Sequence, residues 1–404
     1  MSICWLGSSC REFVDMDKKE PNIVLNITLK RAPAPSVSPA KEIPIIEGKS
    51  KFFLGDTESP FLAPRGVYVH GNKLLVSDTG QNRVFIWHQI PKSEKQKPDL
   101  IIGQSDLKNT GRNEGGEASA QSLQYPSAVW TDGKKLIVAD AWNHRVLIWK
   151  EFPQQNHQPA DVVLGQEDFQ GNLPNRKGVN SDPSAESLYW PYGIAVHDER
   201  LFVADTGNRR VLVFNQIPEC SGQAADAVIG QKNLESRSYD PENAIWPYGV
   251  ALGPKGELAI TDTQYYRVLL WNHWKDSLNQ QATCLVGQPN FESNGQNQFG
   301  LSPGPNTLNW CYFAGFYKEG VFVNDTGNSR ILWFEKIPKE HGVSADALIG
   351  KPDFYTGSEF GETVFGTEKS LYWPFSFSMF PAKNQIVIAD TGNHRIVLCD
   401  LQMS

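Results

Sequence analysis

Period-two runs rich in Val, Ile, Leu and aromatic residues recur along the chain, separated by clusters of Asp, Asn and Gly, which is the pattern of short strands joined by turns. One phrase appears six times: an apolar run, Asp-Thr-Gly-Asn or a variant, Arg, and a second apolar run. The copies are LLVSDTGQNRVFIW, LIVADAWNHRVLIW, LFVADTGNRRVLVF, LAITDTQYYRVLLW, VFVNDTGNSRILWF and IVIADTGNHRIVLC. Their aspartates are Asp78, Asp140, Asp205, Asp262, Asp325 and Asp390, at intervals of 62, 65, 57, 63 and 65 residues. Asp and Asn side chains bond to the backbone of such turns and Gly accepts positive φ, so each phrase predicts a hairpin.

A third run opens most units with aromatic-Pro, as in WPYGIAV and WPYGVAL, and a fourth mostly ends in Gly-Gln, as in DVVLGQEDF and DAVIGQKNL. Four strands make one blade, and blades closed in a ring leave few exposed edges. The fold class is therefore all-β, a six-bladed β-propeller of four-stranded blades. After Asp390 only HRIVLC fits before the chain stops, so the sixth blade lacks its outer strand. KFFLGDTESPF at 51–61 resembles the strands that end the other units, and residues 50–56 are expected to complete the sixth blade noncovalently. The domain reading is an N-terminal extension with a Pro-rich linker over 1–40 and a propeller over 41–404, with blades at about 64–107, 125–169, 190–234, 246–291, 310–354 and 373–401 plus 50–56. Within the extension, PNIVLNITLKR at 21–31 reads as an extra strand or an apposed peptide and APAPSVSPA at 32–40 as an extended linker.

The pattern P-x-G-[IV]-A-V followed by Φ-[FY]-V-A-D-T-G-N-[HR]-R-[VI], with Φ apolar, resembles the NHL repeat from about residue 64 to the C-terminus. Blade three, Pro191 to Phe214, matches best. Blade four departs at Gln264, Tyr265 and Tyr266, blade two at Ala141 and Trp142, and blades five and six replace the first-strand Gly by Phe313 and Ser376. The resemblance implies the propeller fold. It does not by itself choose a function, because NHL propellers include enzymes, RNA-binding modules and protein scaffolds.

Composition narrows the partners. With 40% hydrophobic and 21% charged residues, 34 Gly and 26 Pro, the 404-residue chain reads as a soluble, turn-rich β protein. A net charge of −7 disfavours nucleic acid, whose nonspecific affinity comes from basic surface. No run of eighteen apolar residues is present and MSICWLGSSC lacks a basic leader, so a cytoplasmic protein is expected if the chain starts at its natural beginning. Cys4, Cys10, Cys220, Cys284, Cys311 and Cys399 show no CxxC spacing and read mostly as buried thiols.

Function is sought on one face. The turns between second and third strands and the connections between blades emerge on the same side, and the connections, 16 to 25 residues from Gly-Gln to the next aromatic-Pro, are long enough to carry a site. At the mouth stand Tyr125, Trp190, Trp246, Trp310 and Trp373, with Ala63 breaking the ring. These read as packing between blades. Two residues on come Arg65, Ser127, Tyr192, Tyr248, Tyr312 and Phe375, which would form an aromatic funnel with one guanidinium able to pair with a carboxylate or phosphate. The atypical turn residues Trp142 and Tyr265 join the candidate ligand-binding set. The eight histidines form no three-histidine ring, so no metal site is predicted: His70 and His197 fall at the opposite face, His144 and His394 take a structural position in the Asn-His-Arg step, and His88, His157, His273 and His341 read as solvated. The six Asp and six Arg of the turns read as scaffold, because catalysis needs one constellation rather than six copies. The first reading is a propeller that binds a small molecule or peptide at the loop-rich face. The alternatives are a metal-dependent lyase or hydrolase using the same mouth, and a scaffold for protein partners; no cofactor or catalytic residue is singled out.

Overall fold

Each period-two run carries apolar side chains on both sides, and both sides are buried. In blade three, Leu201 and Val203 pack toward blade two while Phe202 and Ala204 pack toward blade four. The computed structural model describes residues 51–55, 60–357 and 370–401, so the expected strand and linker within 21–40, as well as Cys4 and Cys10, lie outside the described residues. Among the described residues, twenty-four strands form six four-stranded antiparallel sheets. Blade three shows the plan, with strands Pro191–His197, Arg200–Asp205, Arg210–Phe214 and Ala227–Ile229 in that spatial order. The first strands of successive blades lie side by side, and that of blade six, Pro374–Phe380, returns to that of blade one, Gly66–His70. Six apolar cores result, one between each pair of neighbouring blades.

The ring closes as the sequence predicts. Lys51–Leu54 pairs antiparallel with Arg395–Asp400, Lys51 opposite Cys399 and Leu54 opposite Ile396. Leu54 is buried in the core between blades six and one, beside Val67, Val76, Phe85 and Ile396.

The repeated turn holds each blade internally. In all six, the Arg Nε donates to the Asp Oδ2 at 2.7 to 3.0 Å. In blade three the Asp205 Oδ1 accepts the Tyr189 N–H at 2.6 Å, and Arg210 Nη2 donates to the carbonyls of Ser184 and Ser187 at 2.9 and 3.0 Å. The pair thus ties the hairpin to the loop arriving from the previous blade. Burial raises all six carboxyls, against the pull of the adjacent Arg. Their environments repeat, so none is set apart for acid or base chemistry.

The same turn also joins blades. The Thr hydroxyl donates to a first-strand carbonyl of the next blade: Thr79 to Pro126, Thr206 to Pro247, Thr263 to Cys311 and Thr326 to Pro374 at 2.6 to 2.7 Å, and Thr391 to Pro64 across the closing seam. Blade two, with Ala141 here, has no hydroxyl to donate. The left-handed residue that ends the turn supplies a second bond: Asn82 Oδ1, His144 Nδ1, Ser329 Oγ and His394 Nδ1 accept the N–H of Tyr125, Trp190, Trp373 and Ala63, respectively, at 2.9 to 3.2 Å. His144 and His394 thus act as acceptors between blades. Among the described residues, no helix is long and apolar enough to cross a membrane.

Two outcomes follow from these seams. Truncating Leu54→Ala should cost about 2 to 5 kcal/mol in denaturant unfolding, since it empties a packed site on a four-residue strand; a loss below about 0.5 kcal/mol would show that the strand contributes little to closure. Burial lowers His144 to about 4 from 6.5, so the folded chain binds fewer protons than the unfolded one between those values and stability falls as pH drops through this window. Chemical unfolding at pH 7 and pH 5 should differ by roughly 2 kcal/mol on this account. His144→Asn, which keeps an acceptor as Asn82 does, should flatten that part of the profile.

Candidate functional site

Where first strands meet at the axis they approach very closely. A Cβ added to Gly193 would lie 2.5 Å from the Tyr248 carbonyl oxygen, and one on Gly249 would lie 2.6 Å from that of Tyr312. This is why the repeat reads P-x-G. Where the Gly is missing, the seam is filled differently: the Ser376 hydroxyl bonds to the Arg65 carbonyl at 2.5 Å, and Phe313 packs edge-on against Phe377 at 5.0 Å. The residue just before the Gly is thereby carried to the axis, next to its neighbour's counterpart.

The result is a plug rather than an open funnel. Tyr192 stacks on Tyr248 at 4.4 Å, Tyr312 stacks on Phe375 at 4.1 Å, and Tyr248 meets Tyr312 edge-on at 4.6 Å. Arg65 reaches across from blade one to blade four, where its Nη1 donates to the Tyr248 hydroxyl at 2.9 Å. Its guanidinium carbon lies 3.9 Å from the Phe375 ring centre and 4.9 Å from that of Tyr125. Ser127, Tyr248 and Phe375 are buried, and Arg65, Tyr192 and Tyr312 half-buried. Ser127 turns its hydroxyl to the Tyr192 carbonyl at 2.7 Å. A cavity of about 250 Å³ lies along the axis, lined by Arg65, these rings and the first strands of all six blades.

Electrostatically the cluster is lopsided. Arg65 is charged at any ordinary pH, yet its Nε is buried without an acceptor, and its Nη1 meets only a neutral phenol. Burial raises the phenols of Tyr125, Tyr192, Tyr248 and Tyr312, so all four stay protonated and able to donate. Among the described residues no carboxylate pairs with Arg65.

The two atypical turn residues part company. Trp142 stacks on Tyr125 at 4.4 Å and its Nε1 donates to the Tyr192 hydroxyl at 3.4 Å, which places it at the outer edge of the plug. Tyr265 does not reach it: buried beside Arg267, 4.8 Å from that guanidinium, it shares a hydroxyl bond with Tyr239. Burying its ring over the turn's own cation satisfies it locally. Tyr125, read from sequence as packing between blades, instead faces Arg65. The signal available was its place in a six-residue ring, but not its direction. Trp190 and Trp246, of blades three and four, are half-buried and meet with ring centres 5.9 Å apart, as expected of packing between blades, whereas Trp310 and Trp373 are 47% and 43% exposed. Left-handed backbone at Tyr125, Trp190, Trp310 and Trp373, with φ of 49 to 58°, is what bonds their N–H groups sideways or frees their rings outward.

Among the described residues no group of three or more His, Cys, Asp or Glu is placed to hold a metal ion. His157, read as solvated, bonds to Glu114 at 2.6 Å. Cys284, Cys311 and Cys399 are buried and Cys220 is exposed; burial pushes the Cys284 thiol up to about 12.

No family model matches the chain. NHL repeat-containing protein 2 from Bos taurus is 24% identical over 302 residues, covering 69% of this chain and 39% of that protein. The Homo sapiens protein is 22% identical over 367 residues, covering 84% and 46%. This chain thus spans less than half the length of the curated relatives it matches. Among solved structures, catalytically inactive virginiamycin B lyase from Staphylococcus aureus with quinupristin is 11% identical at a TM-score of 0.47, covering 87% of this chain and 99% of that one. The nidogen/laminin complex is 11% identical at 0.39, covering 68% and 76%. Neither likeness carries a residue or an activity to this chain.

Proposed function

For a chain that belongs to the NHL-repeat six-bladed β-propeller family, we propose a binding role: recognition of a small molecule or short peptide at the plugged, loop-rich end of the central channel. Arg65 is the polar anchor, Tyr192, Tyr248, Tyr312 and Phe375 form the aromatic wall, and Trp142 forms the outer edge. The observation that carries this reading is the buried Arg65 Nε with no acceptor. An unpaired buried donor on a permanent cation is costly, and three blades besides that of Arg65 supply the rings and hydroxyl around it, Tyr125, Tyr248 and Phe375. A cation left without a protein counter-ion at the head of a cavity is suited to a ligand that provides one. The wall of rings supplies area at little entropic cost, as binding sites commonly do.

Binding is tested by screening small acids, amines, neutral metabolites and short peptides for a thermal shift, with hits measured by calorimetry. Arg65→Gln should weaken every true hit by about 10- to 100-fold, the range for losing a hydrogen bond to a charged group, while leaving the far-ultraviolet circular dichroism unchanged. Hits that bind Arg65→Gln and Tyr248→Ala as tightly as the native chain would remove the plug from the binding role.

A further inference from the structure

Resting on the Arg65-centred site proposed above, we infer that its occupant is a small monocarboxylate that enters from the face opposite the loop-rich end, where the turns joining first and second strands lie. The charge count sets the class. The cluster holds one cation and otherwise neutral donors: Arg65 Nε lacks an acceptor, and the Tyr248 hydroxyl, which accepts from Nη1, keeps its own proton to give. One negative charge completes that set. A dianionic phosphate would leave a second charge unpaired among rings, where desolvation is expensive. The planar guanidinium fork matches the two oxygens of a planar carboxylate. The cavity of about 250 Å³ is smaller than the usual range of roughly 300 to 1,000 Å³ for ligand pockets, which fits a ligand of about ten heavy atoms or fewer. Its walls are suited to a short, weakly polar body, with Ala128, Val129, Ile194 and Val250 beside Ser378.

The route follows from which end is shut. At the loop-rich end the Arg65–Tyr248 bond crosses the axis and the rings are in contact. At the other end of the same cavity stand Tyr68, Trp130, Val196, Leu252, Phe316 and Met379, and among the described residues the ring pair there, Tyr68 and Trp130, is tilted with centres 6.4 Å apart rather than stacked. The turns that surround that opening, at 70–73, 132–135, 197–200, 253–257, 318–319 and 381–384, hold seven Lys or Arg against five Asp or Glu, an excess of +2 in a chain of net charge −7, and each turn has at least one cation. Lys135 is paired with Glu219 at 2.5 Å, and the remaining small positive excess favours capture of anions.

Calorimetry of the native chain with butyrate, butyramide, butylamine and inorganic phosphate tests the class. Butyrate should bind, with butyramide, butylamine and phosphate at least about tenfold weaker, the discrimination expected for a charge-assisted bond. Arg65→Lys, which keeps the charge and loses the fork, should weaken butyrate, and Arg65→Gln should abolish its binding. Absence of butyrate binding, butyramide binding as tightly as butyrate, or phosphate binding more tightly overturns the monocarboxylate. If a neutral hit from the screen is nonetheless lost on Arg65→Gln, the binding site stands and only this ligand class falls. If butyrate binds and survives Arg65→Gln, both fall. In stopped-flow association, narrowing the end opposite the plug with Val196→Trp should slow butyrate entry several-fold, while Trp373→Ala, which removes an exposed ring at the loop-rich end, leaves it unchanged; the reverse result overturns the route.

Discussion

Both faces of every blade are apolar, and that constraint organises the molecule. A sheet with Leu201 and Val203 on one side and Phe202 and Ala204 on the other cannot rest against water on either, so each blade needs two neighbours. A ring satisfies that demand for every blade at once. It also makes the last seam as important as the other five, which is why a four-residue strand from the beginning of the propeller, with Leu54 in the closing core, completes blade six.

Apolar faces alone would allow the blades to slide past one another. The repeated turn prevents this with polar bonds of two kinds. The buried Asp–Arg pair fixes the hairpin against the arriving loop, as Arg210 does with Asp205 and the carbonyls of Ser184 and Ser187. The Thr hydroxyl and the residue ending the turn then fix the next blade, as Thr206 does with Pro247 and His144 with Trp190. A buried ion pair adds little net stability, but its geometry is demanding, and here that geometry holds the hairpin to the arriving loop.

The candidate cluster forms where the first strands converge. Glycines such as Gly193 and Gly249 allow first strands within contact of their neighbours' carbonyls, and the preceding side chains converge until Arg65 of blade one bonds to Tyr248 of blade four. Sixfold repetition supplies the position, and departures from it supply the chemistry. One position holds Arg, one Ser and four hold rings, so the converging set has a charge on one side only.

The fold was legible in the chain because it rests on local, repeated chemistry: alternation specifies strands, Asp-Thr-Gly specifies the turn, and a missing outer strand specifies closure. Membership of the candidate cluster was legible too for Arg65, Tyr192, Tyr248, Tyr312 and Phe375, since equal register places them at one height. Direction was not. Tyr125 turns to Arg65, whereas Tyr265, two residues before the same blade's Arg267, turns away and is satisfied there. Nor could spacing show that the Thr of the turn bonds to the next blade, or that the rings touch and close the mouth. Those outcomes depend on how near six strands come to one axis, a distance set by packing between segments some sixty residues apart and written in no single repeat.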